Sequence, residues 1–421
     1  MKIHRMPLVI FTAVNLMAAG LSLADSSWPR FRGADQQGIS KAAHVPLAWS
    51  ETENIRWKTP IPGEGWSSPV VADGRVWLTT ATQDGKSLRA VCVDYESGQL
   101  LHDVEVFTNE VVPAKHKRNS HASPTGVLEG DRFYVHFGAM GTAAIDAVTG
   151  RKIWENRELA VDYQNGAGGS LTLHGNLLLI PCDGMDAQFE AALVKDTGEL
   201  AWRVERSAKP FLQTLPADMR KAYGTSFVTL VDGKPVSLTT AATRLVALDP
   251  LSGEEKWYVN YGKGFSNVPV PVTDGKIAVI CTGFMKPEVW GIRLGGAKGD
   301  VTETHVLWKQ KAGAPDQTSP LLLQGRVYMV SSGGIASCLN AENGEIVWKE
   351  RIGSDFAASP VAAAGRIYFF DTKGVTTVIR PGDTFEVLGK NELASGCMGS
   401  AAVVNRSLVV RTKEALYRIE E

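Results

Sequence analysis

The sequence predicts an all-β fold: an eight-bladed β-propeller of four-stranded antiparallel blades, closed by pairing of N- and C-terminal strands. Two recurring phrases and the character of the chain ends predict it. The first phrase reads Ser68-Pro69-Val70-Val71-Ala72-Asp73-Gly74-Arg75-Val76-Trp77. It returns as Ser123-Pro124 with Gly130-Asp131-Arg132, as Ser319-Pro320 with Gly325-Arg326, and as Ser359-Pro360 with Gly365-Arg366. Weaker copies start near Gly169-Ser170, Thr225-Ser226, Val268-Pro269 and Gly399-Ser400, which brings the count to eight. Alternating apolar residues around a two-residue Asp-Gly turn are a hairpin signal.

The second phrase is an apolar strand, Asp or Asn, Gly four residues on, and Trp four beyond that. It is clearest in Asp146/Gly150/Trp154, Asp249/Gly253/Trp257 and Asn340/Gly344/Trp348. Val194/Gly198/Trp202 lacks the Asp, Asp94/Gly98/His102 lacks the Trp, and Asp300/Thr304/Trp308 lacks the Gly. The period is roughly 50 residues, the size of a four-stranded blade. Helical repeats of that length fail, because the units are rich in Val, Thr and Gly and alternate with period two. Each Asp/Asn-x-x-x-Gly segment is read as the turn between the third and fourth strands, and the Trp after it as packing between blades.

The ends complement each other. The last unit, Ser400 to Ile419, supplies three strands and stops without a Trp phrase, whereas Asn54-Ile55-Arg56-Trp57-Lys58 resembles a fourth strand with no hairpin before it. Pairing them removes a sheet edge. Residues 25–421 are therefore expected to be a single domain, with Ala208 to Ala222 as a short helical insertion between blades.

Residues 1–24 read as a signal peptide. Lys2, His4 and Arg5 precede an apolar run from Met6 to Leu21, and Ser22-Leu23-Ala24 places small residues before Asp25. The mature chain is expected to be exported, periplasmic or extracellular, without a transmembrane segment and without lipid attachment. Its 44 Lys+Arg against 45 Asp+Glu leave a net charge of −1, with no footprint for nucleic acid or an anionic membrane. Five Cys are too few for a disulfide scaffold. No Cys-x-x-Cys or other metal spacing, Gly-x-Ser-x-Gly elbow, His-Glu-x-x-His or phosphate loop occurs. Gly166-Ala167-Gly168-Gly169-Ser170 leads into a strand rather than a helix. No catalytic and no metal-ligating residue is assigned.

One polar cluster stands out: Lys115-His116-Lys117-Arg118-Asn119-Ser120-His121, which ends where an innermost strand starts. Asp183 and Asp186 lie in the middle hairpin of the next unit, which opens on the same face. His116, Asn119, His121, Asp183 and Asp186 are the binding candidates, and His116, His121, Asp183 and Asp186 are expected to converge on one rim of the channel mouth. On this reading, replacing His121 or Asp183 by Ala weakens binding and leaves stability unchanged.

The Gly-to-Trp phrases, the Ser-Pro strand starts and the exported N-terminus resemble the pyrroloquinoline-quinone-like (PQQ-like) eight-bladed propeller repeat proteins. Trp28-Pro29-Arg30-Phe31-Arg32-Gly33 followed by Gly38-Ile39-Ser40 resembles the opening of a subgroup common in planctomycete-type bacteria. The resemblance extends through Asn119-Ser120-His121-Ala122-Ser123-Pro124, Cys182-Asp183-Gly184, Cys281-Thr282-Gly283-Phe284 and Leu416-Tyr417-Arg418-Ile419. It implies the fold, and one of two roles. Quinoprotein dehydrogenases of the family hold PQQ and calcium over the channel, with a catalytic Asp, a stacking Trp and often a disulfide between adjacent cysteines. Here Cys92, Cys182, Cys281, Cys338 and Cys397 are never adjacent, and no set of positions matches that whole constellation. The other branch is the outer-membrane assembly lipoprotein, a scaffold without a cofactor.

The expectation is accordingly a non-catalytic, monomeric envelope propeller that binds a protein, peptide or glycan partner at the channel mouth, with no cofactor. The alternative is a PQQ-dependent oxidoreductase with its site at the same mouth.

Overall fold

The computed structural model describes residues 26–421, so the expected signal peptide lies outside the described residues. These residues form eight antiparallel sheets, at 70–108, 127–156, 172–205, 227–260, 272–310, 321–351 and 361–392 for blades 1 to 7. Blade 8 consists of Ala402–Val404, Ser407–Arg411 and Ala415–Ile419, completed by Ile55–Pro60 from the other end of the chain. In that closure Lys58 pairs with Tyr417, Thr59 with Leu416 and Pro60 with Ala415. Glu51 fastens the seam, accepting from Tyr417 Oη at 2.9 Å and from Lys58 Nζ at 2.7 Å.

Turn chemistry sets the hairpins. Asp73 and Gly74 both have positive φ, 49° and 73°, the pairing a two-residue hairpin turn requires. An Asp or Asn at the third turn accepts backbone N–H groups, as Asp146 Oδ1 does from Val148 and Thr149 at 3.0 and 2.8 Å. Because the strands alternate in direction, these two turns of each blade share one face, the underside. The connections between blades share the opposite face with the middle hairpins.

Each Trp phrase is a docking device between neighbours. Trp57 of blade 8 donates Nε1–H to Tyr95 O of blade 1 at 2.9 Å, and its ring lies where a Cβ on Gly98 would stand 2.6 Å away. Glycine is required there for close approach as well as for its φ of 72°. The pattern repeats from Trp154 Nε1 to Lys195 O, from Trp308 Nε1 to Ala341 O and from Trp348 Nε1 to Gly382 O, at 2.9 to 3.0 Å. His102 takes the missing Trp's place, with Nε2 3.0 Å from Val148 O and its ring stacked on Trp77.

Blade 5 departs from the pattern where Gly is absent. A turn of helix, Thr302–His305, replaces the tight turn, and Gly299–Asp300 pairs in parallel with Trp257 and Tyr258 as a fifth strand on blade 4. The insertion at 208–222 is helical as expected, with Lys209–Leu212 and the 3-10 turn Ala217–Met219, and it packs Leu212 near Ala242 and Phe265. The five thiols are free and buried, and burial pushes Cys92, Cys338 and Cys397 up to about 12. Among the described residues no helix is long and apolar enough to cross a membrane.

The Trp-Pro-Arg-Phe-Arg-Gly segment crosses the underside of the central channel. Trp28 pairs with Val71 of blade 1, and Leu128 of blade 2 donates its N–H to Pro29 O. Arg30 reaches Leu173 O of blade 3, and Gln36 Nε2 reaches Thr172 Oγ1 and Ser226 O at the start of blade 4. Gln37 Oε1 accepts from Thr273 N of blade 5, and Ser40 N donates to Ala362 O of blade 7. Arg32, 1% exposed, spreads its guanidinium over four carbonyls, those of Gln36, Gln37, Ser319 and Pro320. The strap thus ties seven inner strands together and seals one end of the channel.

Candidate functional site: the central funnel

The starts of the inner strands ring the other end of the channel. Their small and hydroxyl residues are joined in a belt. Ser68 N donates to Thr125 Oγ1, Thr125 N to Ser170 Oγ, and Ser170 N to Thr225 Oγ1, at 2.8 to 2.9 Å. The belt resumes from Val270 N to Ser319 Oγ, Ser319 N to Ser359 Oγ, Ser359 N to Ser400 Oγ and Ser400 N to Ser68 Oγ, at 2.9 to 3.0 Å. Every bond runs in the same direction around the ring. Val270 holds the one belt position without a hydroxyl among the described residues. These hydroxyls satisfy backbone N–H groups that would otherwise be orphaned where no strand pairing reaches.

Above the belt opens a funnel of about 370 Å³. Its floor is Phe31 of the strap, and its walls include Trp66, Tyr223, Val268, Phe284 and Met398. Asp316 is the single carboxylate among the lining residues, and it accepts the Ser332 hydroxyl. The connection between blades 1 and 2, residues 109–126, folds over one side of the mouth.

The structure separates the five sequence candidates. His116 and Asn119 line the funnel. His116 is exposed, and its Nδ1 accepts the Arg118 N–H at 3.3 Å. Asn119 has its amide fully engaged: Nδ2 donates to Asn165 O and Ala167 O, and Oδ1 accepts from Ser120 N and Ser123 Oγ. It positions the loop.

His121 does not reach the funnel. It lines a separate cavity of about 230 Å³ with Phe137, Met140 and Tyr163, and its ring fills the space beside Gly85. Burial first, and Lys115 next, lower its imidazole below the ordinary range. Asp186 is exposed and accepts the Asp162 N–H at 2.8 Å.

Asp183 points inward. Arg206 grips it with two bonds, Nε to Oδ1 at 2.9 Å and Nη2 to Oδ2 at 2.8 Å, and bonds Glu190 Oε2 at 2.9 Å through Nη1. Glu190 also accepts from Ser226 Oγ at 2.7 Å and Thr239 Oγ1 at 3.3 Å. All three charged side chains are at most 2% exposed. Burial alone would lower Arg206, but the two carboxylates outweigh it and hold the guanidinium above its ordinary value. The expected convergence of His121, Asp183 and Asp186 on one rim is therefore corrected. A buried cation recruits the Asp, and a side cavity recruits the His.

The residue that sequence reasoning passed over is Arg118. It lines the funnel, and Nη2 bonds Asp355 Oδ1 at 2.8 Å from the connection between blades 6 and 7. Only its place inside the polar run 115–121 marked it.

A calcium-bound quinone tricarboxylate requires a different donor set. Calcium takes six to eight oxygens, largely from carboxylates and carbonyls. Among the described residues no group of three or more His, Cys, Asp or Glu is placed to hold a metal ion. The funnel offers calcium one carboxylate, and that one is already bonded to the Ser332 hydroxyl. These residues do not fit the group.

The family described as outer membrane protein assembly factor BamB, a PQQ-like repeat family, matches residues 44–167 and 298–383. No curated protein matches the chain in sequence. Among solved structures, quinohemoprotein alcohol dehydrogenase from Comamonas testosteroni superposes with a TM-score of 0.67 at 12% identity, covering 93% of this chain and 80% of that one. BamB from Moraxella catarrhalis gives 0.55 at 14% identity, covering 84% of this chain and 99% of that one. A europium-containing methanol dehydrogenase gives 0.66 at 11% identity, covering 93% and 90%. At these identities the superpositions establish the fold. By its repeats, its closure and the family match, the chain is an eight-bladed β-propeller of the PQQ-like repeat kind.

Proposed function

We propose that this chain is an exported, non-catalytic propeller that docks a protein or peptide partner in the cell envelope through its funnel face. The observation that carries this reading is the funnel's construction. It is a blind, aromatic-floored cavity whose ring hydroxyls are already occupied by neighbouring backbone N–H groups. Such a cavity receives an apolar side chain with a few oriented polar contacts, the composition of a recognition pocket. Phe284 and Met285, 52% and 72% exposed, extend apolar surface at the rim, and Met285 keeps a positive φ of 70° to present it. The similarity to an assembly factor supports a protein partner over a glycan.

The test uses purified mature protein with added PQQ and calcium. This reading expects no stoichiometric quinone absorbance and no dye-linked alcohol oxidation. A stoichiometric spectrum with turnover would replace it with the oxidoreductase reading. Export rests on residues 1–24, and sequencing of the native chain is expected to begin at Asp25.

A further inference from the structure

The pair Arg118–Asp355 joins two connections that lie three blades apart around the ring, so it spans the mouth as a chord rather than linking neighbours. The connection carrying Arg118 is held at other points independently of that pair. Lys115 bonds Glu64 Oε1 at 3.2 Å, and His116 N and Asn119 Nδ2 both bond Asn165 O. Asp355 is likewise held without Arg118, by the Thr372 hydroxyl at 2.8 Å. Both partners are about one-third exposed, 37% and 33%, and a pair at that exposure adds little to stability and exchanges readily.

Arg118 also holds a donor in reserve. Its Nε has no acceptor, and neither has Nε1 of Trp66 on the adjoining connection, whose backbone N–H bonds Ser120 Oγ and Ala122 O; both residues line the funnel. From the run Lys115 to Arg118, His116 and Arg118 line the funnel together with Phe31. Lys413 lies beside Asp355, bonding Thr372 O at 3.2 Å, so removal of the Asp charge would leave two cations at the mouth.

Resting on the funnel as the docking face, we infer that its occupant is a peptide carrying a carboxylate next to an apolar side chain. The apolar group sits over Phe31, and the carboxylate is received by Arg118 in the place Asp355 now holds. Planar bidentate recognition of a carboxylate is what a guanidinium does best.

The probe is acetyl-Phe-Phe with a free C-terminal carboxylate, titrated calorimetrically against the full mature chain beside its C-terminal amide. The acid is expected to bind at least about 10-fold tighter than the amide. Asp355→Asn is expected to tighten the acid by about 5-fold and leave the amide unchanged, and Arg118→Gln to erase the difference between them. Thermal melts confirm that each variant is folded. Equal affinity for acid and amide, heat from neither, or an Asp355→Asn gain shared by both would overturn the inference. The titration uses neither native partner nor quinone. Its failure removes the carboxylate and leaves the docking reading to its own test.

Discussion

Ser400 donates its backbone N–H to Ser68 Oγ at 3.0 Å, across 332 residues of sequence, and so joins blade 8 to blade 1 at the inner ring. Outer-strand pairing closes the propeller at its rim. This bond closes it at the axis, where the strands diverge from their own sheets and the backbone has no other acceptor.

Ser68→Ala should therefore strand the Ser400 N–H. An unsatisfied buried donor costs about 1–3 kcal/mol. Chemical denaturation is expected to show a loss in that range with an unchanged m-value. Wild-type stability in the variant would mean that the belt is only a packing ring.

Asp183 is expected to behave as a structural residue. Breaking a buried pair by removing one partner costs about 3–5 kcal/mol, because the remaining charge stays desolvated. In Asp183→Ala, Arg206 keeps only Glu190 as a charged partner. Equilibrium unfolding should show that loss, whereas a variant as stable as wild type but defective in binding would restore Asp183 to the site.

His136 supplies the clearest pH dependence. It is 2% exposed on the second strand of blade 2, with Nδ1 2.8 Å from Thr142 Oγ1, and burial lowers its imidazole to about 4. The folded value lies below the unfolded value, so its contribution is fully present above the unfolded pKa of about 6.5 and is lost as pH falls through the folded one. The loss amounts to about 3 kcal/mol. Denaturation between pH 7 and pH 4 should be flatter in His136→Asn than in wild type, and equal slopes would contradict the assignment.

Arg32 anchors the underside strap to Ser319 O and Pro320 O, both from blade 6. Arg32→Met keeps the apolar volume and orphans these carbonyls, at about 1–3 kcal/mol for each buried group left unsatisfied. The thermal midpoint should fall by several degrees. Unchanged hydrogen-exchange protection along residues 28–40 would show that the strap is held by its other bonds.

The blades and their closure were legible because their cause is local and periodic. Gly98 and Trp57, or Gly198 and Trp154, are fixed by a turn geometry and a close ring approach that recur at Gly253 with Trp202 and at Gly344 with Trp308. The site was only partly legible. Asp183-Gly184 has the letters of a turn, and nothing nearby marks Arg206, which reaches back from the end of the fourth strand to neutralise it. Arg118 and Asp355 lie 237 residues apart, and the strap bonds mainly through backbone carbonyls, so neither leaves a pattern in the sequence. The motif Trp28 to Gly33 could be recognised, but its work in sealing the channel could not be read.

Photo-crosslinking in cells distinguishes docking at the funnel face from docking on the underside, with a benzophenone side chain at Phe284 on the rim and, as control, at Leu251 on an underside turn of blade 4. The two positions are similarly exposed, at 52% and 59%. Docking at the funnel face predicts a discrete adduct from position 284 and none from position 251. An adduct from 251 with none from 284 would place the partner on the opposite face and contradict it.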